Sequence, residues 1–373
     1  MSADLPNQID IIIPSFRMEE HLLIPIFNLS PPVGLQVNYI LICDNPQVKI
    51  PPAIQGLADV GNIKLLVNKV NSGPSYTRNR GIEEGNGQWI LFLDDDIVPS
   101  ADLLNAYAEA IRIHPDSLGF VGVTEFPQPF NDVTSALDLN GAVGFFRMSR
   151  LKKEQAWAPT ANLMLNRSLL GDRRFRTELT IGGEDVELLT RNSQENGKRY
   201  LSLPDAVVCH PWWGEGRSQV KRMFRYGYGN ATILQLPHIR KYSCLDFSNT
   251  IETLFLLVLL APFMLIAGIH YGTVLTLFGI VLLAELITNA IRSITASHKV
   301  NLILIWQMML HKNAQELGFF WALLRQRRFL SMCRMIDFGF RKAYPSPFRL
   351  NRWKIVKLVV TALLLFMALK WIC

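Results

Sequence analysis

Gln88-Trp89-Ile90-Leu91-Phe92-Leu93-Asp94-Asp95-Asp96 is the stretch on which the fold turns. Six mostly apolar residues, preceded by the turn signal Gly85-Asn86-Gly87, predict a short strand buried on both faces. The strand ends abruptly in three consecutive carboxylates. Folding alone does not call for that triplet: three like charges repel one another, water screens them only in part, and a cation is expected between them. Hard divalent ions such as Mg²⁺ take one or two carboxylates and complete their shell with phosphate oxygens, which points to a phosphate-bearing substrate. The plain alternative is a solvated acidic turn ahead of a helix over Ala101 to Ile111, with Ser100 or Asp102 as N-cap.

Upstream, Ile9 to Ile13, Val37 to Cys43 and Ile63 to Val67 are β-rich runs. They are stopped by Pro14-Ser15, by Asp44-Asn45-Pro46, and by Asn68 with the turn Asn71-Ser72-Gly73-Pro74. Helix-like segments lie between them at Glu19 to Leu29, Ala53 to Val60 and Ser75 to Glu84. Strand alternating with helix predicts an α/β fold with a parallel, doubly wound sheet, whose ligands bind beyond the carboxyl ends of the strands. Pro14, Ser15, Asp44, Asn68 to Gly73 and Asp94 to Asp96 all fall at such ends, so four strands aim polar groups at one crevice.

Downstream, Leu118 to Val123 predicts a further strand, and Gly141 to Arg147 and Asn162 to Leu165 predict edge or antiparallel strands. Between Thr124 and Pro159 the chain carries Phe126, Phe130, Phe145, Phe146 and Trp157 among prolines and glycines, which suits a substrate-shaping insertion as well as ordinary packing. Gly182-Gly183-Glu184-Asp185 opens a helix that Gly197 stops. Carboxylates in a first turn suit the helix dipole, so simple capping also explains Glu184 and Asp185. Short strands at Arg199 to Leu203 and Ala206 to Cys209 deliver His210-Pro211-Trp212-Trp213-Gly214, and a histidine there serves as a metal ligand or, more commonly, as a hydrogen-bonding group. A helix over Arg217 to Leu236 follows, with Lys221, Arg222 and Arg225 near one face, able to reach phosphates or to sit solvated.

At 373 residues and 49% hydrophobic composition, the chain predicts roughly two domains with part of it in lipid. The apolar segments 251–269 and 272–291, joined by a short hairpin, and 355–372 are of spanning length. Glu285, Asn289 and Arg292 share one stripe of the second span and are expected to pair within the bundle rather than approach a lipid. Apolar runs mixed with Arg and Lys over about 300–350 predict interfacial helices. Of the 38 Lys/Arg, 13 lie between Arg292 and Lys357 against only Glu316 and Asp337, leaving 25 basic and 29 acidic residues elsewhere. A basic block flanked by apolar spans marks the cytoplasmic side of a membrane and not a nucleic-acid footprint. With Arg240 and Lys241 ahead of the first span, residues 1–250 and 292–357 are expected in the cytoplasm, on an inner or plasma membrane. The polar stretch Met1 to Gln8 carries no secretory signal, and five scattered cysteines without CxxC spacing fit a reducing compartment.

Residues 7 to 236 resemble a family 2 glycosyltransferase of the GT-A fold through motifs in the family's order. Ile11 to Ser15 resembles the first strand with its Pro14-Ser15 end, and Asp44 stands where a family aspartate meets the nucleotide base. Asn71, Gly73, Arg78, Asn79 and Gly81 resemble the segment lining the nucleotide-sugar site, with Thr77 in place of the usual alanine. Asp94-Asp95-Asp96 resembles the DxD motif, which implies Asp94 near the ribose or base and Asp96 on the metal. Gly183-Glu184-Asp185 resembles the element whose carboxylate serves as base, and His210 stands where a histidine completes the metal site in many such enzymes. Processive members carry Gln-x-x-Arg-Trp where this chain has Gln219-Val220-Lys221-Arg222-Met223.

The resemblance implies a GT-A-type, Rossmann-like mixed sheet, a cytosolic domain over 1–240, followed by a helical transmembrane and interfacial region over 241–373. It implies an inverting, metal-dependent transferase that uses a nucleotide-diphospho-sugar, a UDP-sugar foremost; the apolar spans make it membrane-bound, and the missing Trp at Met223 with only two to three spans is read as non-processive addition of one sugar. The acceptor is a hydroxyl of a lipid, a lipid-linked saccharide or a glycan. Mg²⁺ or Mn²⁺ would sit on Asp96 and His210, and Asp185 would be the base with Glu184 beside it. Pro14, Ser15, Asp44, Asn71, Gly73, Arg78, Asn79, Asp94, Asp95, Arg222 and Arg225 would line the donor site, and Trp212 and Trp213 the acceptor. Two competing readings remain: a polyprenyl-phosphate glycosyltransferase, whose anionic acceptor needs no base, and a non-catalytic nucleotide-sugar-binding membrane scaffold.

Overall fold

The computed structural model describes residues 7–372; Met1 to Pro6, most of the stretch expected to lack a signal, and Cys373 lie outside the described residues. The chain divides into one unit that ends at Trp212 and a second made of Pro129–Ala142 and the residues from Trp213 onward. The sequence places that division near residue 240.

In the first unit alternation of strand and helix builds a nine-stranded sheet from β1 (Asn7–Ser15), β2 (Leu35–Cys43), β3 (Ile63–Val67), β4 (Trp89–Leu93), β5 (Val98–Pro99), β6 (Gly119–Glu125), β7 (Glu154–Gln155), β8 (Asn162–Asn166) and β9 (Tyr200–Cys209). The order is β3-β2-β1-β4-β8-β6-β9-β5, with β7 on β9. Strands β1 to β4 pair in parallel, and β8 runs antiparallel between β4 and β6. The sheet is therefore mixed, not wholly parallel. Every residue of β4 is buried, as its unbroken apolar run requires.

Asp10 is a charged residue buried within this sheet. Asp10, fully buried on β1, accepts from Asn38 Nδ2 at 2.9 Å, from the Gly87 N–H at 2.7 Å and from Arg167 Nη2 at 2.6 Å. These bonds tie β1 to β2, to the turn that launches β4 and to the residue that follows β8.

Two expected elements differ. Gly141 to Arg147 does not form a strand: the helix Asp132–Leu139 ends at Asn140, Gly141 turns at φ 77°, and the chain tightens into a 3-10 helix at Gly144–Arg150. The two strands expected at 199–203 and 206–209 are one strand, β9. Pro204, which has no N–H to donate, is exposed where the register against β6 shifts between Val121 and Val123.

In the second unit helix Val220–Ile233 packs on helix Leu302–Arg325 so closely that only glycine fits at the crossing. A Cβ on Gly227 would stand 1.8 Å from the Gln315 carbonyl oxygen, and one on Gly318 2.0 Å from that of Phe224. The helices expected over 300–350 resolve into that one helix, followed by a 3-10 turn at Phe329–Ser331 and a short antiparallel pair, β10 (Ser243–Leu245) with β11 (Arg334–Ile336). The apolar segments form helices Thr250–Ile266, Tyr271–Ser297 and Arg352–Ile372. Among the described residues Tyr271–Ser297, with a mean hydropathy of 2.1, is long and apolar enough to cross a membrane, and Thr250–Ile266 is apolar but shorter.

Removing the Asp10 carboxylate leaves the Arg167 guanidinium without its counter-charge. Asp10→Ala is expected to destabilise the protein by about 3–5 kcal/mol, as breaking a buried pair does. The denaturant midpoint of the first unit's unfolding measures it.

Candidate active site

The crevice beyond the strand ends gathers its groups from β1, β2, β4, β9 and two helices. Ser15, at the end of β1, donates its hydroxyl to Asp95 Oδ2 at 2.6 Å. Arg17, two residues on, reaches Asp96 Oδ2 with Nη2 at 2.8 Å and Asp95 at 3.6 Å. His210, placed by the bond from its own N–H to the Glu125 carbonyl, brings Nε2 to 3.1 Å from Asp96 Oδ1. The carboxylates turn to these partners, and Asp102, at the start of helix Leu103–Ile113, makes no side-chain cap bond; the acidic turn is not a capping device.

Asp94, Asp96 and His210 each offer a ligand atom within 4.8 Å of one another. The histidine's geometry bears on what that set can hold. Its Nδ1 stands 2.6 Å from the Pro211 carbonyl, a distance at which it donates, so in the neutral ring the Nε2 lone pair faces the Asp96 carboxylate. Two acceptors in contact need a proton or a metal ion between them. A histidine whose second nitrogen is held by a carbonyl is the usual metal-ligand arrangement, and two carboxylates with one imidazole suit Mg²⁺ or Mn²⁺. The donor set fits the ion.

Without the ion the neighbours divide the charge. Burial works against the Asp96 charge, but His210 and Arg17 outweigh it and hold the carboxyl down to about 2. Burial pushes Asp95 up to about 6 against the Ser15 bond, with the Asp96 charge adding to the rise. Burial opposes the His210 charge too, and the bond to Asp96 more than offsets it, raising the imidazole above its ordinary value.

On the other side Arg78, buried on helix Gly73–Glu84, reaches Glu184 Oε1 at 3.2 Å and Asp94 Oδ1 at 3.7 Å. Its Nε is buried with no hydrogen-bond partner among the described residues. Gly183 adopts φ 90°, a left-handed turn suited to glycine, and aims helix Glu184–Asn196 so that Glu184 and Asp185 open its first turn. Asp185 Oδ1 accepts from the Val186 N–H at 2.7 Å. Burial and the adjacent Glu184 charge push the Asp185 carboxyl up to about 7.

The remaining expected residues have other partners. Asp44 accepts from Asn68 Nδ2, the Ser72 N–H and the Gly73 N–H at 2.7–2.9 Å, so it holds the loop whose exposed Asn71 precedes the helix. Asn79 exchanges two bonds with the Phe175 backbone, and Pro14 is half-buried in β1. Trp212 is buried, donates to the Pro127 carbonyl at 2.9 Å and packs on Phe126, which stacks on His210 at 5.0 Å. Trp213, Arg222 and Arg225 belong to the second unit, where Arg222 lies 4.5 Å over the buried Trp213 ring. Arg17 and Phe126 have places here that sequence reasoning did not assign, while Asn68, expected at the crevice, binds Asp44. For Arg17 the signal was present: a lone cation just past the Pro14-Ser15 strand end.

Residues 10–173 match the family described as Glycosyl transferase family 2. The chain is 27% identical over 179 residues to glycosyltransferase AglE of Haloferax volcanii, a span of 48% of this chain and 57% of that protein. Over 88 residues it is 26% identical to glucosyl-dolichyl phosphate glucuronosyltransferase of the same organism, 24% of this chain and 28% of that protein. The chain thus spans little more than half of one relative and less of the other. Among solved structures the mannosyltransferase PcManGT of Pyrobaculum calidifontis, in complex with GDP-Man and Mn²⁺, superposes with a TM-score of 0.53 at 16% identity, over 86% of this chain and 88% of that one. That likeness shows the mixed-sheet fold expected from the sequence.

A carboxyl lifted to about 7 is protonated below that pH and able to take a proton only above it. Turnover is expected to fall about tenfold per pH unit on the acid side of a limb near neutrality. Glu184→Gln removes the neighbouring charge and moves that limb to lower pH, as pH profiles of kcat/KM for the two proteins will show.

Proposed function

We propose that the chain is a membrane-bound, inverting glycosyltransferase that moves one sugar from a nucleotide-diphospho-sugar, a UDP-sugar foremost, to a hydroxyl of a lipid, lipid-linked saccharide or glycan. The observation that carries the reading is the convergence of Asp94, Asp96 and His210 with Arg78 and the Glu184-Asp185 helix start at one set of strand ends. A pure binder of nucleotide sugars has no use for a carboxyl raised into the range of a general base.

Asp94, Asp96 and His210 would hold Mg²⁺ or Mn²⁺. The bound ion would supply positive charge where negative charge develops on the leaving diphosphate. Arg78, with its unpartnered Nε, donates to a diphosphate oxygen, and half-exposed Arg17 is free to exchange Asp96 for the same group. Asp185 takes the proton of the acceptor hydroxyl as the new bond to the anomeric carbon forms opposite the breaking one, and the bond electrons leave with the diphosphate. Inversion follows from that single displacement. Glu184 keeps Arg78 in place and adds to the burial that lifts the Asp185 carboxyl toward neutrality. Asp44 fixes the loop against which the base would rest.

Helix Tyr271–Ser297 and the apolar helix before it, on which Leu256, Val258, Leu259, Leu260 and Phe263 are exposed, support anchoring in a membrane. The basic residues that follow them support a catalytic unit on the cytoplasmic side, where nucleotide sugars are made. An anchored enzyme meets a membrane-bound acceptor at raised effective concentration, which favours a lipid or lipid-linked acceptor.

Detergent-purified protein is expected to release nucleoside diphosphate from one donor of a UDP-, GDP- and dTDP-sugar panel, to stop on chelation and to recover with Mg²⁺ or Mn²⁺. Asp96→Ala and Asp185→Asn should each lower transfer by about 10²–10⁴-fold. Full transfer by Asp185→Asn would instead assign an acceptor that is already anionic, and release from no donor in the presence of membrane lipid extract would leave a binding protein.

A further inference from the structure

Within the second unit the helices line a half-open cavity of about 250 Å³ that carries charged side chains among apolar ones. Four cations, Arg292, Lys312, Lys354 and Lys357, line it against three carboxylates, Asp246, Glu285 and Glu316. The lysines and carboxylates account for one another. Glu285, buried in the helix Tyr271–Ser297, takes Lys312 at 2.9 Å and Lys357 at 2.7 Å, Lys312 also pairs with Glu316, and Lys354 pairs with Asp246 at 2.9 Å. Lys357 is further held by the Ser248 carbonyl and the Thr250 hydroxyl.

Arg292 is left over. It donates to the Leu139 carbonyl at 2.8 Å, makes a long contact of 3.4 Å to Asn289 and lies over the Trp353 ring at 5.6 Å. No carboxylate of the described residues lies within ion-pair distance of it. The nearby Glu285 carboxylate is already shared by two lysines, so an added anion would be favourable beside this guanidinium, and its planar fork suits two oxygens of a phosphate. The same cavity carries the opposite deficit: Asn140 donates to the Met308 carbonyl, but its buried Oδ1 accepts nothing. A ligand that answers both has an anionic oxygen pair and a hydroxyl.

We propose that this cavity binds a phosphate monoester or diester bearing a free hydroxyl, with Arg292 on the phosphate oxygens and Asn140 Oδ1 accepting from the hydroxyl. A polyol phosphate in solution and the headgroup of an anionic phospholipid share that chemistry. The site stands apart from the transfer reaction in its evidence, since every residue invoked belongs to the second unit.

The test is the thermal unfolding midpoint of full-length protein in neutral detergent. It is titrated with inorganic phosphate, glycerol phosphate, dihexanoyl-phosphatidylglycerol and, as the zwitterionic control, dihexanoyl-phosphatidylcholine. A saturable rise with glycerol phosphate assigns the free polyol phosphate; a rise with phosphatidylglycerol alone assigns the lipid headgroup. In either case Arg292→Gln should weaken binding by about tenfold or more, and Arg292→Lys, which keeps the charge and loses the fork, by less. Ala142→Trp fills the cavity and leaves Arg292 in place, so it should abolish the response while the midpoint without ligand stays near that of the parent. No saturable rise with any phosphate compound, or the same rise in Arg292→Gln and Ala142→Trp as in the parent, overturns the proposal and leaves a cavity that holds water.

Discussion

Three adjacent carboxylates at the end of one buried strand repel one another, and the first unit is arranged to divide them. Each faces a different partner from a different part of the chain: Asp94 has Arg78, Asp95 has the Ser15 hydroxyl, and Asp96 has Arg17 and His210. The consequence is chemical. Asp95, half-buried against the Ser15 hydroxyl, is pushed up to about 6 by burial, while its neighbour Asp96, beside His210 and Arg17, is held down to about 2. Asp95 thus serves as a strut between β1 and β4, and the two flanking carboxylates remain as the anionic edge on which a divalent ion would rest. At the facing helix start the same logic runs the other way, since Glu184 has Arg78 beside it and Asp185, without a cation in contact, is held near neutrality.

That division depends on where the strands end, and the strand ends were readable. The apolar runs of β1 to β4 are stopped by Pro14, Asp44, Asn68 and Asp94, so periodicity located both the sheet and the polar rim. The structure adds what only long-range pairing can decide. Nothing local marks Arg17 as the partner of a residue 79 positions later, or Asp44 as the acceptor for a loop 28 residues on. Trp212 offered an open aromatic face in the sequence. In the fold that face packs on Phe126, and the indole N–H is held by Pro127, so the tryptophan braces the histidine's neighbour. The 3-10 segment at Gly144–Arg150 was missed because a short apolar run between glycines satisfies strand and turn patterns equally. The shift in β9 was hidden for a similar reason: Pro204 announces a break, and only the pairing with β6 shows that the strand resumes.

The second unit rests on a different constraint, close approach of backbones. Where helix Val220–Ile233 crosses Leu302–Arg325, each glycine faces a carbonyl of the other helix at a distance no side chain tolerates. The basic helix expected from the sequence to present Lys221, Arg222 and Arg225 is thereby fixed by its small residues, and Arg222 is drawn onto the Trp213 ring.

Helix Tyr271–Ser297 inverts the pattern of a soluble protein. Glu285, Thr288 and Asn289 follow one stripe and are buried, whereas Leu282, Leu283 and Leu286 on the intervening positions are exposed. In water the arrangement is unfavourable twice over, with apolar surface wetted and a carboxylate desolvated. With hydrocarbon outside, both terms change sign of argument: the leucines meet a solvent like themselves, and an acid on that stripe is tolerable only if it faces inward and finds cations. Glu285 finds two of them, on helices that begin 17 and 67 residues after it. The stripe that the sequence marked as self-pairing is thus the point at which three helices are joined, and the proposed lipid setting accounts for the buried charge and the exposed leucines together.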